Sequence, residues 1–503
     1  MPEHLRALVV ILAIAAAVFH VARPVALDVV PGETFSRWRT AWFGLTLALF
    51  LSHNFWVYAL LLVVGVRYVA RHEQHLIGLF LALLFVAPPA SMTIPGFGVV
   101  NQLFPINHYN LLVMVLFVPL ARKLHRNRSS MRLGKSPVDK MVLGYLAVIC
   151  SLAFRETSFT GGMRLVLMHI VDIFIPYYVV SRGLRSIEDF RCAFLGFTLG
   201  AAVLSALALF EVTRYWKLYQ GVLVALNFSP WQFGGYLERM GVLRPDVSVG
   251  NSIVLGYVIM VAVGCFAFLM AYMKQGLRRQ LGLGLLVGGV IWSLSRGPWV
   301  GLCFLYFVFV LTGTRVVSRS FKAFVLGAMA LLVVAQFPAG QFLLDLLPFI
   351  GKNEAGSVEY REDLLTQALP VIERNFWFGS TNYLSAPELQ NMYSGGIIDI
   401  VNTYLGVVLD YGIVGLGFFA GAFVIATLHT VQAIRRARAG GDHAVLLGRA
   451  LLAVLLSIML TIYTMSSMGA VPFVYWIFLG ACVAYHQMIL SKPVVEELAE
   501  RRV

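Results

Sequence analysis

Charged residues are scarce in this sequence of 503 residues. Asp, Glu, Lys and Arg together make up 13% of the chain, whereas a soluble domain carries about 25%. Hydrophobic residues reach 59%, and apolar runs of roughly 17 to 25 residues, long enough to cross a bilayer as helices, recur along the chain. The runs are continuous and do not alternate, which excludes a β-barrel. We therefore predict an all-α polytopic membrane protein.

Cysteine and metal-binding patterns are also rare. The five cysteines lie in or beside apolar runs without metal-ligand spacing, which favours small buried hydrophobic residues. No DxD-like or histidine-rich set lies in the predicted outer loops, so we expect no metal and no other cofactor. The first apolar run lacks a small-residue cleavage site and is predicted to be the first membrane helix.

The apolar runs predict about fourteen membrane-spanning segments. Their approximate bounds are 5–22, 41–69, 76–91, 107–121, 138–154, 164–181, 190–211, 250–273, 280–295, 298–313, 322–337, 399–430, 450–468 and 470–490. The second run is long and holds Ser52-His53-Asn54 near its middle, so it is either a kinked span or a tight hairpin. A hairpin would reverse the orientation of the N-terminus and of nothing else.

The net charge of +14 could indicate a nucleic-acid partner, but its placement favours another interpretation. Lys and Arg cluster in four short loops, 122–140, 274–279, 315–322 and 435–449. Threading fourteen segments alternately places these loops on one side, as expected for cytoplasmic loops. We therefore interpret the positive charge as an orientation signal, and we expect no nucleic-acid partner.

Two large loops fall on the opposite side, at about 214–249 and 338–398. The chain divides accordingly into four parts, at 1–212, 213–337, 338–398 and 399–503: membrane helices, membrane helices with the first outer loop, the large loop, and the last membrane helices with a tail. In the large loop, "REDLLTQALPVIERNFWFG" places apolar residues at helical spacing. This pattern predicts a short amphipathic helix along the membrane surface.

Three arginines reach this face at breaks in the apolar pattern, namely Arg244, Arg296 and Arg361. An arginine near the bilayer is costly unless it has a partner. Each could snorkel to the interface or pair with a nearby carboxylate. Guanidinium groups also bind phosphate oxygens through paired hydrogen bonds, which favours a shared role for the set. We predict that they bind a lipid pyrophosphate at the membrane surface.

Three stretches carry a resemblance to a known family. They are "SLSRGPWVG", "REDLLTQALPVIERNFWFGS" and "VNTYLGVVLDYGIVGLGFF". Together they resemble motifs of the O-antigen polymerase and O-antigen ligase superfamily, over about 240–420. The resemblance implies a multi-spanning glycosyltransferase fold with a large periplasmic loop. It also implies transfer of a glycan from a polyprenyl pyrophosphate carrier to an acceptor hydroxyl, with no metal required.

The resemblance also implies roles for individual residues. Arg244, Arg296 and Arg361 would hold the pyrophosphate and stabilise it as it departs. From the residues themselves, Asp399, Glu362 and Asp363 are candidate bases, and Glu362, Asn402 and Tyr404 are candidate substrate contacts. A solvated or salt-bridged carboxylate, or a helix cap at Asp399, is the alternative reading. Asp172 and Asp410 lie inside apolar segments, as functional sites or as internal polar partners.

One departure from the family pattern distinguishes between its branches. Ligases carry a histidine at the start of the third motif, where the matching stretch here reads Ile400-Val401-Asn402-Thr403, and no histidine occurs between His169 and His429. An amide cannot take a proton at neutral pH, which favours a polysaccharide polymerase over a ligase. A membrane transporter and a non-catalytic scaffold remain alternatives from other classes.

The expected location is the bacterial inner membrane, with the active site facing the periplasm. The expected partners are the bilayer, a polyprenyl-pyrophosphate-linked oligosaccharide, and other polysaccharide export and chain-length proteins.

Overall fold

The computed structural model describes residues 1–96, 102–127, 131–155, 158–228, 235–313, 355–393, 397–437 and 441–491. Within these ranges, seven helices are long and apolar enough to cross a membrane, so the chain is an all-α, multi-pass membrane protein. The count of fourteen spans stays a prediction. The predicted segment 322–337, the basic loop 315–322 and the first part of the large loop, 338–354, lie outside the described residues.

Where the structure describes it, the first part of the chain is built of ten α-helices. Their bounds are α1 Glu3–Leu27, α2 Gly32–Leu51, α3 Phe55–Ala70, α4 Leu76–Leu83, α5 His108–Leu112, α6 Val118–Arg126, α7 Pro137–Leu152, α8 Phe159–His169, α9 Ile175–Gly183 and α10 Ile187–Arg214. A π-helical turn, Val113–Phe117, joins α5 to α6, and a second one, Ile170–Phe174, joins α8 to α9. Single π-helical turns inside helices are frequent at functional sites.

Among the described residues, the second part of the chain contains nine further α-helices. Their bounds are α11 Gln220–Ala225, α12 Ser252–Leu269, α13 Leu277–Trp292, α14 Arg296–Leu311, α15 Ala355–Arg374, α16 Pro387–Gln390, α17 Thr403–Ala437, α18 Asp442–Ile462 and α19 Ala470–Leu490. Two small antiparallel hairpins accompany them, formed by β1 Met92–Pro95 with β2 Gln102–Ile106 and by β3 Glu238–Arg239 with β4 Val242–Leu243. The helix α12 is apolar on all sides and largely buried among α10, α13, α14 and α18.

The long second apolar run is a hairpin of two helices. The helices α2 and α3 pack against each other, and Asn54 begins α3 by accepting a hydrogen bond from the Trp56 N–H at 2.8 Å. Between them His53 has a φ of 50°. The hairpin places the N-terminus where α10 ends, because Trp216 Nε1 donates to Glu3 Oε1 at 2.9 Å.

Three of the four predicted basic loops lie at one end of the bundle, which we call the basic end. At loop 122–140, Asp139 accepts from Arg182 at 2.6 Å, next to the start of α10. In that helix Arg191 donates to the Val29 carbonyl, beside Asp28, which accepts from Lys274 N–H of loop 274–279. The Tyr272 and His443 rings stack, so loop 435–449 lies at the same end as loop 274–279. The common side predicted for these loops is confirmed.

The predicted amphipathic helix is α15, and the chain after it crosses α17 by backbone contact. Ser380 N donates to Leu409 O at 2.8 Å, and Ile413 N donates to Phe376 O at 2.9 Å. At the crossing, Gly412 interrupts α17 with a φ of 67° and a ψ of −170°. A Cβ on Gly412 would lie 2.3 Å from the Trp377 carbonyl carbon, so only glycine fits.

Further contacts hold residues 355–393, which we call the cap, against α17. Arg155 donates to the carbonyls of Phe378 at 2.8 Å, Gly379 at 2.7 Å and Asp410 at 2.8 Å. A small apolar core fills the space between them. Its buried members are Leu364, Ala368, Val371, Leu389, Ile400, Leu405, Val408 and Leu409. The i, i+4, i+7 spacing of the first three makes one face of α15 apolar, so this face packs on α17.

On the opposite end of the bundle from the basic loops, arginine also binds the β1–β2 hairpin. Arg164 Nε donates to Leu103 O at 2.6 Å, and its Nη2 donates to Gln102 O at 2.7 Å. A guanidinium group therefore holds backbone carbonyls at two separate places on this end.

The close backbone crossing predicts that a side chain at Gly412 destabilises the protein more than one at another glycine of α17. Gly412→Ala should lower the free energy of unfolding by more than about 2 kcal/mol, because it adds both a clash and a strained φ. The measurement is the midpoint of thermal unfolding of detergent-solubilised protein. Gly417→Ala is the matched control, since Gly417 lies in the same helix with nothing within 4 Å of its Cβ position. Equal midpoints for the two variants would contradict the role of the crossing.

Candidate functional site

The turn between α13 and α14 is the point at which arginines converge. Leu294 has a φ of 51°, a conformation that is strained for a leucine, and α14 begins at Arg296. Arg239 Nη1 donates to Leu294 O at 2.7 Å, and Arg244 Nη2 approaches Ser295 Oγ at 3.4 Å. The structure therefore brings Arg244 and Arg296 together, as the sequence predicts for one face, and adds Arg239.

The β3–β4 hairpin positions Arg239 and was not anticipated. Its two-residue turn is Met240-Gly241, with φ values of 51° and 76°. Positive φ at both central residues is the geometry of a tight two-residue hairpin turn. Gly241 between two short apolar stretches could have indicated a turn. The strands have only two residues each, so they show no alternating pattern that would predict them.

A buried polar network anchors the loop that carries these arginines. Glu211, at the end of α10, accepts backbone N–H bonds from Leu218 at 2.8 Å and from Val247 at 3.1 Å. Lys217 Nζ donates to Asp246 Oδ2 at 2.5 Å, with both side chains at most 10% exposed. Because a buried charge is costly without its partner, this network holds together the two ends of the segment that carries Arg239 and Arg244, at Lys217 and at Asp246.

Small residues seat the start of α14 on α18. A Cβ on Gly297 would lie 2.3 Å from Thr464 Oγ1, and one on Gly301 would lie 2.3 Å from Thr461 Oγ1. The four-residue spacing of these glycines puts both on the same side of α14. The glycines of "RGPWVG" thus allow close helix packing, and this packing places Arg296 beside the connection 463–469 between α18 and α19.

Asp399 joins that connection to the cap. Its Oδ1 accepts from Ser466 Oγ at 2.6 Å, and its backbone carbonyl accepts from Tyr360 OH at 3.0 Å. Burial raises the pKa of the Tyr360 phenol, so this group stays protonated as a donor. Arg361 and Glu362, the next residues along α15, are exposed. The turn at Arg296 and the start of α15 are therefore linked through Thr464, Ser466 and Asp399.

Asn402 and Tyr404 have mainly structural contacts. Asn402 Oδ1 accepts from the N–H groups of Tyr404 at 3.0 Å and Leu405 at 3.2 Å, which makes Asn402 the N-terminal cap of α17. Asp399 is therefore not the N-terminal cap of α17, and that alternative interpretation of Asp399 is wrong. Tyr404 OH donates to Met459 O at 3.0 Å, so it contacts α18.

The electrostatics of this end favour a bound anion. The helices α12, α14 and α17 all begin here, and helix N-termini carry partial positive charge. Arg239, Arg244 and Arg296 add full charges at the start of α14. Within the described ranges, no group of three or more His, Cys, Asp or Glu side chains could hold a metal ion. The arrangement can bind phosphate oxygens and place a carboxylate, Asp399, at the same end.

The two acids inside the apolar segments have different surroundings. Asp172 lies in the second π-helical turn and accepts from Asn110 Nδ2. Asp410 lies beside Arg155, which donates to its backbone carbonyl. The first acid therefore has an amide partner, and the second lies near an arginine, as expected for internal polar partners. A functional role for either acid stays a prediction.

The fold and this end of the bundle define a multi-pass helical membrane protein with an anion-favouring surface site. Residues 281–420 match the family model described as O-antigen ligase. The predicted resemblance to the O-antigen ligase and polymerase superfamily is thereby confirmed, and at the level of the family the match indicates a function in polysaccharide assembly. No curated protein matches the chain. The matched segment contains Arg296, Arg361 and Asp399, whereas Arg244 precedes it.

The buried network predicts that Lys217 contributes more to the stability of the protein than Lys274 does. Lys217→Met should destabilise the protein by about 3 kcal/mol or more, because Asp246 would remain buried and unpaired. Lys274→Met should change the stability by less than about 1 kcal/mol, since the Lys274 side chain is 91% exposed and lies 3.9 Å from Asp28. Thermal unfolding of the two purified variants in one detergent measures the difference, and similar midpoints would count against the network.

Proposed function

We propose that this protein is a polysaccharide polymerase that uses glycan carried on polyprenyl pyrophosphate. The observation that carries the proposal is the convergence of Arg239, Arg244 and Arg296 at the beginning of α14. Arginine matches the planar, paired geometry of phosphate oxygens. A phosphate group there would also face the positive end of a helix.

The proposed reaction transfers the growing glycan from its carrier to a single carrier-linked repeat unit. The oxygen of an acceptor hydroxyl forms a bond to the anomeric carbon of the donor. The bond from that carbon to the pyrophosphate oxygen breaks, and its electron pair stays with the pyrophosphate. The arginines stabilise this developing negative charge, which is the main electrostatic demand of the step.

The proton of the acceptor hydroxyl requires a base, and Asp399 is our candidate. Its carboxylate lies where the cap, α17 and the connection 463–469 meet, and Ser466 fixes one of its oxygens at 2.6 Å. The other oxygen can accept a proton or a hydrogen bond. Arg361 begins the exposed turn of α15 next to Tyr360, so we assign it to the same substrate.

The polymerase reading is preferred to the ligase reading because the stretch 400–403 holds no histidine. The Asn402 side chain caps α17 through Oδ1 and offers no group that can take a proton. A ligase remains the second candidate, since the matching family model is described as O-antigen ligase. The proposed location is the bacterial inner membrane, with this end facing the periplasm and the basic end facing the cytoplasm.

Arginine substitutions test the pyrophosphate-binding role. Arg296→Ala and Arg361→Ala should each reduce polymer formation at least about 100-fold, because a charge contact to the leaving group is lost. Arg374→Ala is the matched control, since Arg374 lies in the same helix α15 and pairs with Glu388 at 2.7 Å. Mass spectrometry of extracted carrier lipid, at equal protein abundance, measures the result.

The chain lengths on the carrier separate the candidate functions. Single repeat units should accumulate in cells with either inactive variant if the protein is a polymerase. Long chains on the carrier would indicate a ligase instead. A carrier pool that is unchanged in both variants would overturn the proposal.

Asp399→Asn tests the candidate base. The substitution keeps the size and the hydrogen bond from Ser466, so the rate of glycan transfer should fall about 100-fold or more while binding of the carrier changes little. Asp363→Asn, which changes an exposed carboxylate of the cap, should retain at least half of the rate. Equal rates for the two variants would remove Asp399 from the mechanism.

A further inference from the structure

A second polar site lies beside the arginines, in a cavity of about 580 Å³. Its lining includes Asp172, Asn107, Asn251 and Phe473, together with Gly469. Ligand pockets typically have volumes of about 300 to 1,000 Å³. The cavity is therefore large enough for one or two sugar rings.

The polar groups of the cavity are held in place by the fold. Asn107 and Asn251 cap α5 and α12 through Oδ1, accepting from the N–H groups of Asn110 and Ile253. Each therefore presents its Nδ2 amide as a donor. Asp172 lies in a π-helical turn, and Asn110 donates to its Oδ1. Among the described residues, no donor contacts Asp172 Oδ2, so this oxygen is an available acceptor.

The charge of the cavity differs from that of the arginine site. Asp172 brings no positive charge to bind phosphate, whereas its carboxyl oxygens form hydrogen bonds with hydroxyl groups. The two amides donate to hydroxyl oxygens, and Phe473, Pro472 and Pro89 supply an apolar wall. This combination suits a neutral, hydroxyl-rich molecule with apolar C–H faces, which is the chemistry of a sugar.

The cavity and the arginine site share a wall. In the connection 463–469, Thr464 packs on Gly297 and Ser466 donates to Asp399, whereas Met468 and Gly469 line the cavity. On the other side, the loop that carries Arg244 continues through Asp246 to Val249 and Gly250, which also line the cavity. A sugar in the cavity would thus lie beside the carrier-binding arginines.

We infer that this cavity binds the acceptor glycan, with Asp172, Asn107 and Asn251 as its hydrogen-bonding residues. The inference rests on the proposed function, because it assigns the second substrate of the same transfer. It divides the substrates by chemistry: the arginines bind the pyrophosphate, and the cavity binds the sugar that bears the attacking hydroxyl.

Two probes test the inference separately on the purified full-length protein in lipid nanodiscs. One is the free repeat-unit oligosaccharide, released by mild acid from carrier lipid that accumulates in cells without this protein. The other is polyprenyl pyrophosphate without glycan. Asp172→Asn should weaken oligosaccharide binding about tenfold or more, because an amide replaces a carboxyl group that accepts hydrogen bonds from the sugar hydroxyls. It should leave the affinity for polyprenyl pyrophosphate within about twofold.

Matched variants control for charge and for helix capping. Asp410→Asn makes the same change at an acid of α17 that does not line the cavity, and it should bind the oligosaccharide normally. Asn251→Ser keeps a capping oxygen but removes the amide donor, so it should weaken oligosaccharide binding. Asn54→Ser makes the same change at the N-terminal capping residue of α3 and should leave oligosaccharide binding unchanged. Asn251→Ser keeps the test informative if Asp172→Asn does not fold.

Two outcomes would overturn the inference: oligosaccharide binding that is equal in wild type, Asp172→Asn and Asn251→Ser, or no binding to wild type at millimolar concentration. The proposed function fails by a different result. If Arg296→Ala bound polyprenyl pyrophosphate as tightly as wild type, the arginine role would be wrong, even where the cavity variants behave as expected.

Discussion

The backbone crossing between the chain after α15 and the helix α17 is the constraint on which the cap depends. Main-chain atoms of the two segments form hydrogen bonds with each other. Gly379 and Gly412 have no side chains, so the two backbones can approach closely. Arg155 then binds three carbonyls at the same place. With the crossing fixed, α15 can lie on α17 only with Leu364, Ala368 and Val371 facing inward. Tyr360 consequently meets Asp399.

Local sequence patterns were sufficient for most of the helices near the site. The last predicted segment, 470–490, coincides with α19, and the break before Arg296 coincides with the turn between α13 and α14. The amphipathic spacing after Arg361 correctly predicted a helix in the cap. These features depend on hydrophobic period and on Gly and Pro positions, which are properties of neighbouring residues.

The remaining parts of the site depend on residues that are distant in sequence. Asp399 meets Ser466, and Arg155 binds carbonyls more than 200 residues away. Lys217 and Asp246 are ordinary polar loop residues until the fold buries them together. No pattern within either segment specifies its partner, so these contacts could not be read from one sequence. At Ser52-His53-Asn54 a kinked span and a hairpin predict the same local residue pattern, so the sequence does not distinguish them.

Two neighbouring sites of different chemistry would give the protein a way to keep its substrates in order. The proposed carrier site is cationic, and the cavity beside it has one carboxylate and two amides. A pyrophosphate would be disfavoured in the cavity, and a neutral sugar would gain little from the arginines. The connection 463–469 and the loop 244–250 both contribute residues to the two sites, so these two short segments set their relative position.

Several loops at this end are held by arginine bound to backbone carbonyls: Arg155, Arg164 and Arg239 all bind in this way. A guanidinium group stays charged at every pH that a protein meets, and a peptide carbonyl does not titrate. These attachments therefore keep their strength in acid, whereas carboxylate ion pairs weaken as they protonate. We propose that this end faces the periplasm, and there the attachments made by Arg155, Arg164 and Arg239 would keep their strength as the medium becomes acidic.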